Sequence, residues 1–179
     1  MATSEPNRIG LPFEVKPHAY DPAANPELFA DVLARRLVAF VIDLVILAIP
    51  VALAAMFIFA AGIITLGLGF FLYALLPPAI IIWALAYYGL TLGSPSSATI
   101  GMRVMDLEMR TWYGAPAYFV LGAVHAIVFW VSVSALTPLI LLVCLFNDRH
   151  RLLHDILLGT VVINNKLRAS MLAAGQQGG

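Results

Sequence analysis

From Leu37 to Leu92 the chain carries one charged residue, Asp43. A run of that length has no polar face to give to water, and it is long enough for two membrane-crossing helices of ~20 residues each. This constrains the fold more than any other feature. The overall balance agrees: 61% of the 179 residues are hydrophobic and 11% are charged, against about 45–50% and about 25% in soluble domains. The formal net charge is zero, so no global field favours a nucleic-acid partner.

The turn between the two spans falls at Gly62, Gly67 and Gly69, which places the spans at about 35–60 and 70–92. Pro50 is expected to kink the first. Pro77 and Pro78 are expected to kink the second or to delay its regular part. The first apolar run is too long for the core of a cleaved leader, so it is expected to stay as an anchor. Five prolines in residues 1–26 predict an extended tail. Asn25-Pro26 then suits a helix start. Leu28, Phe29, Val32 and Leu33 share one face of the following turns, which predicts a short interfacial amphipathic helix on the membrane surface. Residues 93–116 read as a polar loop.

Residues 117–146 are long for one crossing and short for two, with "SVSALTP" as a natural break. Arg8, Lys16, Arg35 and Arg36 precede the first span, Arg103 and Arg110 lie in the loop, and Arg149, Arg151, Lys166 and Arg168 follow the last apolar run. Keeping all of them on the cytoplasmic side requires an even number of crossings in 117–146, hence a broken or re-entrant hairpin. The expected architecture is an all-α membrane protein. It is a small bundle of 3–4 membrane segments with the interfacial helix, a short cytoplasmic loop and cytoplasmic termini. The tail is 1–26, the transmembrane domain 27–165, and a flexible tail 166–179.

Asp43 lies ~9 Å inside the hydrocarbon if that begins near Leu37. An ionised Asp deep in a bilayer costs about 2.5–3.5 kcal/mol at the centre and less near the edge, which favours an inward-facing, partnered carboxylate. Arg36, Arg103, Arg149 and His125 are the candidate partners. Two roles follow, an ion or proton site or a hydrogen-bonded pin between helices. His125 sits at comparable depth and could form a relay with Asp43. His150 and His154 have an i, i+4 metal-ligand spacing. They lack a neighbouring glutamate and a third nearby ligand, so no metal site is expected. Cys144, the single cysteine, permits no disulfide within the chain and suits an apolar interior. Asp155, set in the otherwise largely apolar stretch "LLHDILL", predicts a protected ion pair with an arginine. Trp83, Trp112, Trp130, Tyr87, Tyr88, Tyr113 and Tyr118 fit interfacial belts, and Gly122 and Ala126 allow close helix contact. No phosphate loop, dinucleotide turn or nucleophile–base set is present, so neither enzymatic activity nor a cofactor is expected.

Three pieces in order, "RRLVAFVID", "SATIGMRVMDL" and "RHRLLHDILLGTVVI", resemble the RDD family of small bacterial membrane proteins, over roughly residues 30–165. The resemblance implies that Arg36, Asp43 and Asp155 are the three polar anchors. His154, Gly159 and Thr160 would accompany the last, and Thr99 and Gly101 would match a Thr-x-Gly element. Many members carry Lys after that glycine. This chain has Met102, with Arg103 as a substitute cation. The family is described as candidate transporters of unidentified ligands, with sodium/proton antiport proposed for some members. The resemblance therefore implies a multi-pass protein of the bacterial inner membrane that moves a small solute, cation or proton. The other expectation is a non-catalytic accessory or assembly subunit. Either way the partners are the lipid bilayer and a homo-oligomer or larger membrane complex. Arg36 is expected to bridge Asp155 and the Asp43 side.

Overall fold

The computed structural model describes residues 19–136 and 151–177. The greater part of the proline-rich tail, residues 137–150 and the partner candidate Arg149 lie outside the described residues, and so does the question of how 117–146 completes its crossings.

Among the described residues, two helices are long and apolar enough to cross a membrane. Helix α1 runs Val32–Ile64, with Pro50 inside it and not ending it. At 1.5 Å per residue it is ~50 Å long, longer than a ~30 Å hydrocarbon core. A chain reversal follows, with Leu66 and Gly67 both at positive φ. A 3-10 segment, Leu68–Leu75, then leads into α2, Leu76–Leu92. The two prolines fall in the first turn of α2, where their missing N–H groups have no intrahelical partner to lose. They delay the regular helix. A shorter apolar helix, α4 (Phe119–Leu136), completes the apolar layer. The small residues act as expected: a Cβ on Gly122 would lie 2.8 Å from the Tyr88 carbonyl oxygen and 2.9 Å from Leu92 Cβ. That glycine lets α2 and α4 approach.

Along α1 the buried positions Val32, Ala39, Asp43 and Leu47 form one helical stripe. Leu37, Val41, Val45, Leu53 and Phe57 face outward and are exposed, as suits a lipid-facing side.

The segment between α2 and α4 is more ordered than a polar loop. It folds into a short helix, α3 (Ile100–Val104), and a strand, β1 (Leu107–Thr111). Past the undescribed segment come a short helix α5 (Leu153–Leu158), strand β2 (Thr160–Asn164) and helix α6 (Lys166–Gln177). Strands β1 and β2 pair antiparallel, from Leu107 opposite Asn164 to Thr111 opposite Thr160. Every residue of β2 is buried. Alternation sends Val162 into the main core with Val32, Leu107 and Met109, while Val161 and Ile163 pack on Phe29.

Here the structure departs from the sequence expectation. Residues 26–33 do not form an interfacial amphipathic helix. Pro26–Leu28 is a single 3-10 turn, and Asp31 breaks the path with φ 56° before α1 starts. Phe29 and Val32 are covered by the small sheet, not by the membrane surface. An apolar face reports a need for burial and not what supplies it. The C-terminal tail, expected to be flexible, forms α6.

Helix α3 crosses α1 at Gly101. A Cβ there would overlap the Ala39 carbonyl oxygen and sit 2.9 Å from Asp43 Cγ. Both obstacles are fixed, one being backbone and the other a carboxylate held on three sides. Gly101→Ala is therefore expected to lower stability by about 2–3 kcal/mol, measured as thermal or denaturant unfolding in detergent. Gly175→Ala in α6, where a Cβ meets open space, should leave stability unchanged or slightly raised.

Candidate functional site

Two polar clusters sit on the buried stripe of α1. The first surrounds Asp43, which is 4% exposed. Its Oδ1 accepts from the Tyr87 hydroxyl (2.5 Å) and the Gly101 N–H (2.7 Å), and its Oδ2 accepts from Thr99 Oγ1 (2.6 Å). Thr99 is the N-cap of α3 and accepts from Met102 N at 3.1 Å. One hydroxyl thus starts the helix and grips the carboxylate. Tyr87 Oη in turn accepts from Ile100 N at 3.3 Å. Asp43 joins α1, α2 and α3 at one point, and both of its oxygens are occupied by short charge-assisted bonds.

Among the described residues, the partners named from sequence, Arg36, Arg103 and His125, make no hydrogen bond to Asp43. Arg103 turns back on its own loop, donating from Nε to Ala98 O (3.1 Å) and from Nη2 to Ser94 Oγ (2.8 Å). His125 joins the other cluster, so the Asp43–His125 relay does not form. Tyr87 was missed because a tyrosine near a span end was assigned to the interface. The signal available was reciprocal: a lone carboxylate in an apolar run needs donors, and a buried phenol needs an acceptor.

The second cluster surrounds Asp155, which is fully buried. Arg36 Nη1 meets its Oδ2 at 2.6 Å, and Leu152 N donates to the same oxygen at 3.0 Å. The expected lock between α1 and the C-terminal element is therefore present. Among the described residues no hydrogen bond or ion pair joins Arg36 to Asp43, whose described donors are Tyr87, Thr99 and Gly101. Asp155 Oδ1 faces Thr160 Oγ1 at 3.5 Å, His154 Nε2 at 3.5 Å and His125 Nε2 at 3.7 Å. The two imidazoles meet edge to face, 4.7 Å between centroids. Burial, the largest single influence, pushes the Asp155 carboxyl up, but the Arg36 guanidinium and its hydrogen bond, together with the neighbouring His154 and His125 rings, hold the group well below the usual carboxylate range. Burial pushes the His154 pKa down to about 3, so the ring is neutral at ordinary pH. Gly159, at φ 62°, ends α5 and turns the chain into β2, which brings Thr160 back beneath Asp155.

A neighbouring contact set, silent in the sequence, anchors the sheet. Arg35 donates to Asn164 Oδ1 (2.8 Å) and pairs with Asp106 (3.2 Å). Asn164 Nδ2 donates to the carbonyls of Glu27 and Ala30, both at 2.9 Å.

These features define a class: a helical, membrane-type protein whose arginine and two aspartates tie a short helix and a C-terminal sheet to its first long helix. The RDD family model matches residues 31–159, and the chain belongs to the RDD family. No curated protein and no solved structure matches it.

The Arg36–Asp155 pair is mostly shielded from water, with side-chain exposures of 13% and 0%. Removing Arg36 takes the guanidinium from the fully buried Asp155 carboxylate, so Arg36→Ala should cost about 3–5 kcal/mol, and Asp155→Ala should also destabilise. A double-mutant cycle in detergent should give a coupling of about 1–3 kcal/mol. A coupling of zero would show that the two residues act independently.

Proposed function

We propose that this chain is a non-catalytic accessory or assembly subunit of the bacterial inner membrane, which packs against a larger membrane complex and does not itself carry a solute. The observation that carries this reading is the engagement of both Asp43 oxygens by helix-positioning donors. The one charge between Leu37 and Leu92 spends both carboxylate oxygens on Tyr87, Thr99 and Gly101. A cation or proton carrier at that position needs an oxygen that can be vacated and filled again during turnover. Here each oxygen is held by donors that also fix the crossing of α1, α2 and α3.

A second observation supports the same reading. The cleft between α1, α2 and α4, about 470 Å³, is lined by Leu47, Val51, Ile80, Trp83, Ala126 and Trp130 among others, all apolar or aromatic. Such a cleft suits an acyl chain or a partner's apolar side chain, not a hydrated ion. In this reading both polar termini face the cytoplasm, because the arginines that anchor the sheet and α5 cluster at the start of α1.

The test compares wild type with Asp43→Asn, which keeps an acceptor oxygen for two of the donors. In proteoliposomes, neither protein should pass protons, sodium or potassium above the level of empty vesicles. In mild-detergent extracts of native membranes, both should migrate in the same large complex. Cation or proton flux by wild type that vanishes in an equally stable Asp43→Asn protein would establish the transport reading in its place.

A further inference from the structure

The Asp155 cluster has a feature that its ion pair with Arg36 does not explain. Oδ2 is doubly served at 2.6 and 3.0 Å. Oδ1, on the same fully buried carboxylate, has no partner closer than 3.5 Å among the described residues. A buried anionic oxygen normally takes a short bond. It faces the Thr160 hydroxyl, a long donor at 3.5 Å, and two imidazole nitrogens at 3.5 and 3.7 Å, beyond the 3.2 Å limit of an ordinary N–H···O bond.

Those separations have another meaning. Ligand atoms 2.0–2.2 Å from a tetrahedral zinc ion are ~3.4 Å from one another. The metal-competent atoms of His125, His154 and Asp155 all lie within 4.8 Å of each other. His154 is 2% exposed. Among the described residues, the distal nitrogens His125 Nδ1 and His154 Nδ1 are buried with no hydrogen-bond partner, so none of these residues fixes either ring from its far side.

We propose that His125 Nε2, His154 Nε2 and Asp155 Oδ1 form a binding site for a divalent transition-metal ion of the zinc type. The donor set decides the class. Two neutral imidazoles with one carboxylate suit zinc and its cobalt surrogate, whereas calcium and magnesium require oxygen shells. Three protein ligands leave a position for water. Arg36 and Leu152 N, both on Oδ2, are the outer contacts that aim Oδ1 at the imidazoles. The i, i+4 histidine spacing of His150 and His154 lacks a third ligand in sequence; α4 supplies His125 from 29 positions away from His154. The ion would tie α4 to α5 and, through Arg36, to α1. This inference is independent of the accessory-subunit reading, since a structural ion fits a transporter equally well.

The test uses tag-free, chelator-treated full-length protein in detergent, titrated with Co2+ alone. One Co2+ per chain should bind with the strong visible absorption of tetrahedral cobalt, and Zn2+ should displace it. His125→Gln and His154→Gln should each weaken binding at least ~10-fold, while Gly175→Ala, whose Cβ meets open space, should not. X-ray absorption of the zinc-loaded wild type should show two imidazole nitrogens and one carboxylate oxygen, and it decides the matter if either histidine variant fails to fold. No stoichiometric metal on wild type, a ligand shell without two imidazoles, or unchanged affinity in folded histidine variants would overturn the proposal.

Discussion

The structure hangs on the capture of Asp43. A carboxylate in an apolar helix is tolerable only when its charge is met, and here three short bonds meet it from three directions. Because the donors come from α2 (Tyr87), from the cap of α3 (Thr99) and from the first turn of α3 (Gly101), satisfying one group fixes three elements. Gly101 is the geometric condition for this. Only a residue without a side chain lets the α3 backbone N–H reach a carboxylate on the face of α1 while passing the Ala39 carbonyl. The Thr-x-Gly pairing is thus a single device, in which threonine donates and caps while glycine donates and yields space.

Asp155 is the second use of the same solution, one carboxylate recruiting several elements. It differs in having a full counter-charge. Arg36 lies seven residues before Asp43 on the same buried stripe, so α1 presents a guanidinium and a carboxylate in series. The carboxylate holds the loop helix and the guanidinium holds the C-terminal helix. The antiparallel β1–β2 pair then joins the two held segments, since β1 follows α3 and β2 follows α5. Arg35 and Asn164 close the arrangement at the strand end nearest the start of α1. An extramembrane cap is thereby assembled on a helix that is otherwise lipid-compatible.

Much of this was legible in the linear chain. The long apolar run required membrane-type helices, the glycine cluster placed the reversal, the paired prolines delayed α2, Asp155 called for an arginine, and the resemblance to the RDD family pointed to Arg36. The rest was not, for identifiable reasons. Leu107–Thr111 and Thr160–Asn164 are short and stand far apart in sequence, and a five-residue strand carries little periodic signal until its partner is known. The apolar face of Leu28, Phe29 and Val32 was visible, but sheet and membrane surface satisfy such a face equally.

The sequence by itself determined that the chain must be helical, apolar and anchored by a few charges, because backbone groups in lipid must bond internally and isolated charges need compensation. Only the tertiary structure decided which group compensates which. Arg36 had two acids within plausible reach and Asp43 had four candidate partners. The choice rests on hydrogen-bond approaches of 2.5–2.7 Å, on Gly101 admitting one backbone and on Tyr87 turning inward, none of which residue spacing encodes.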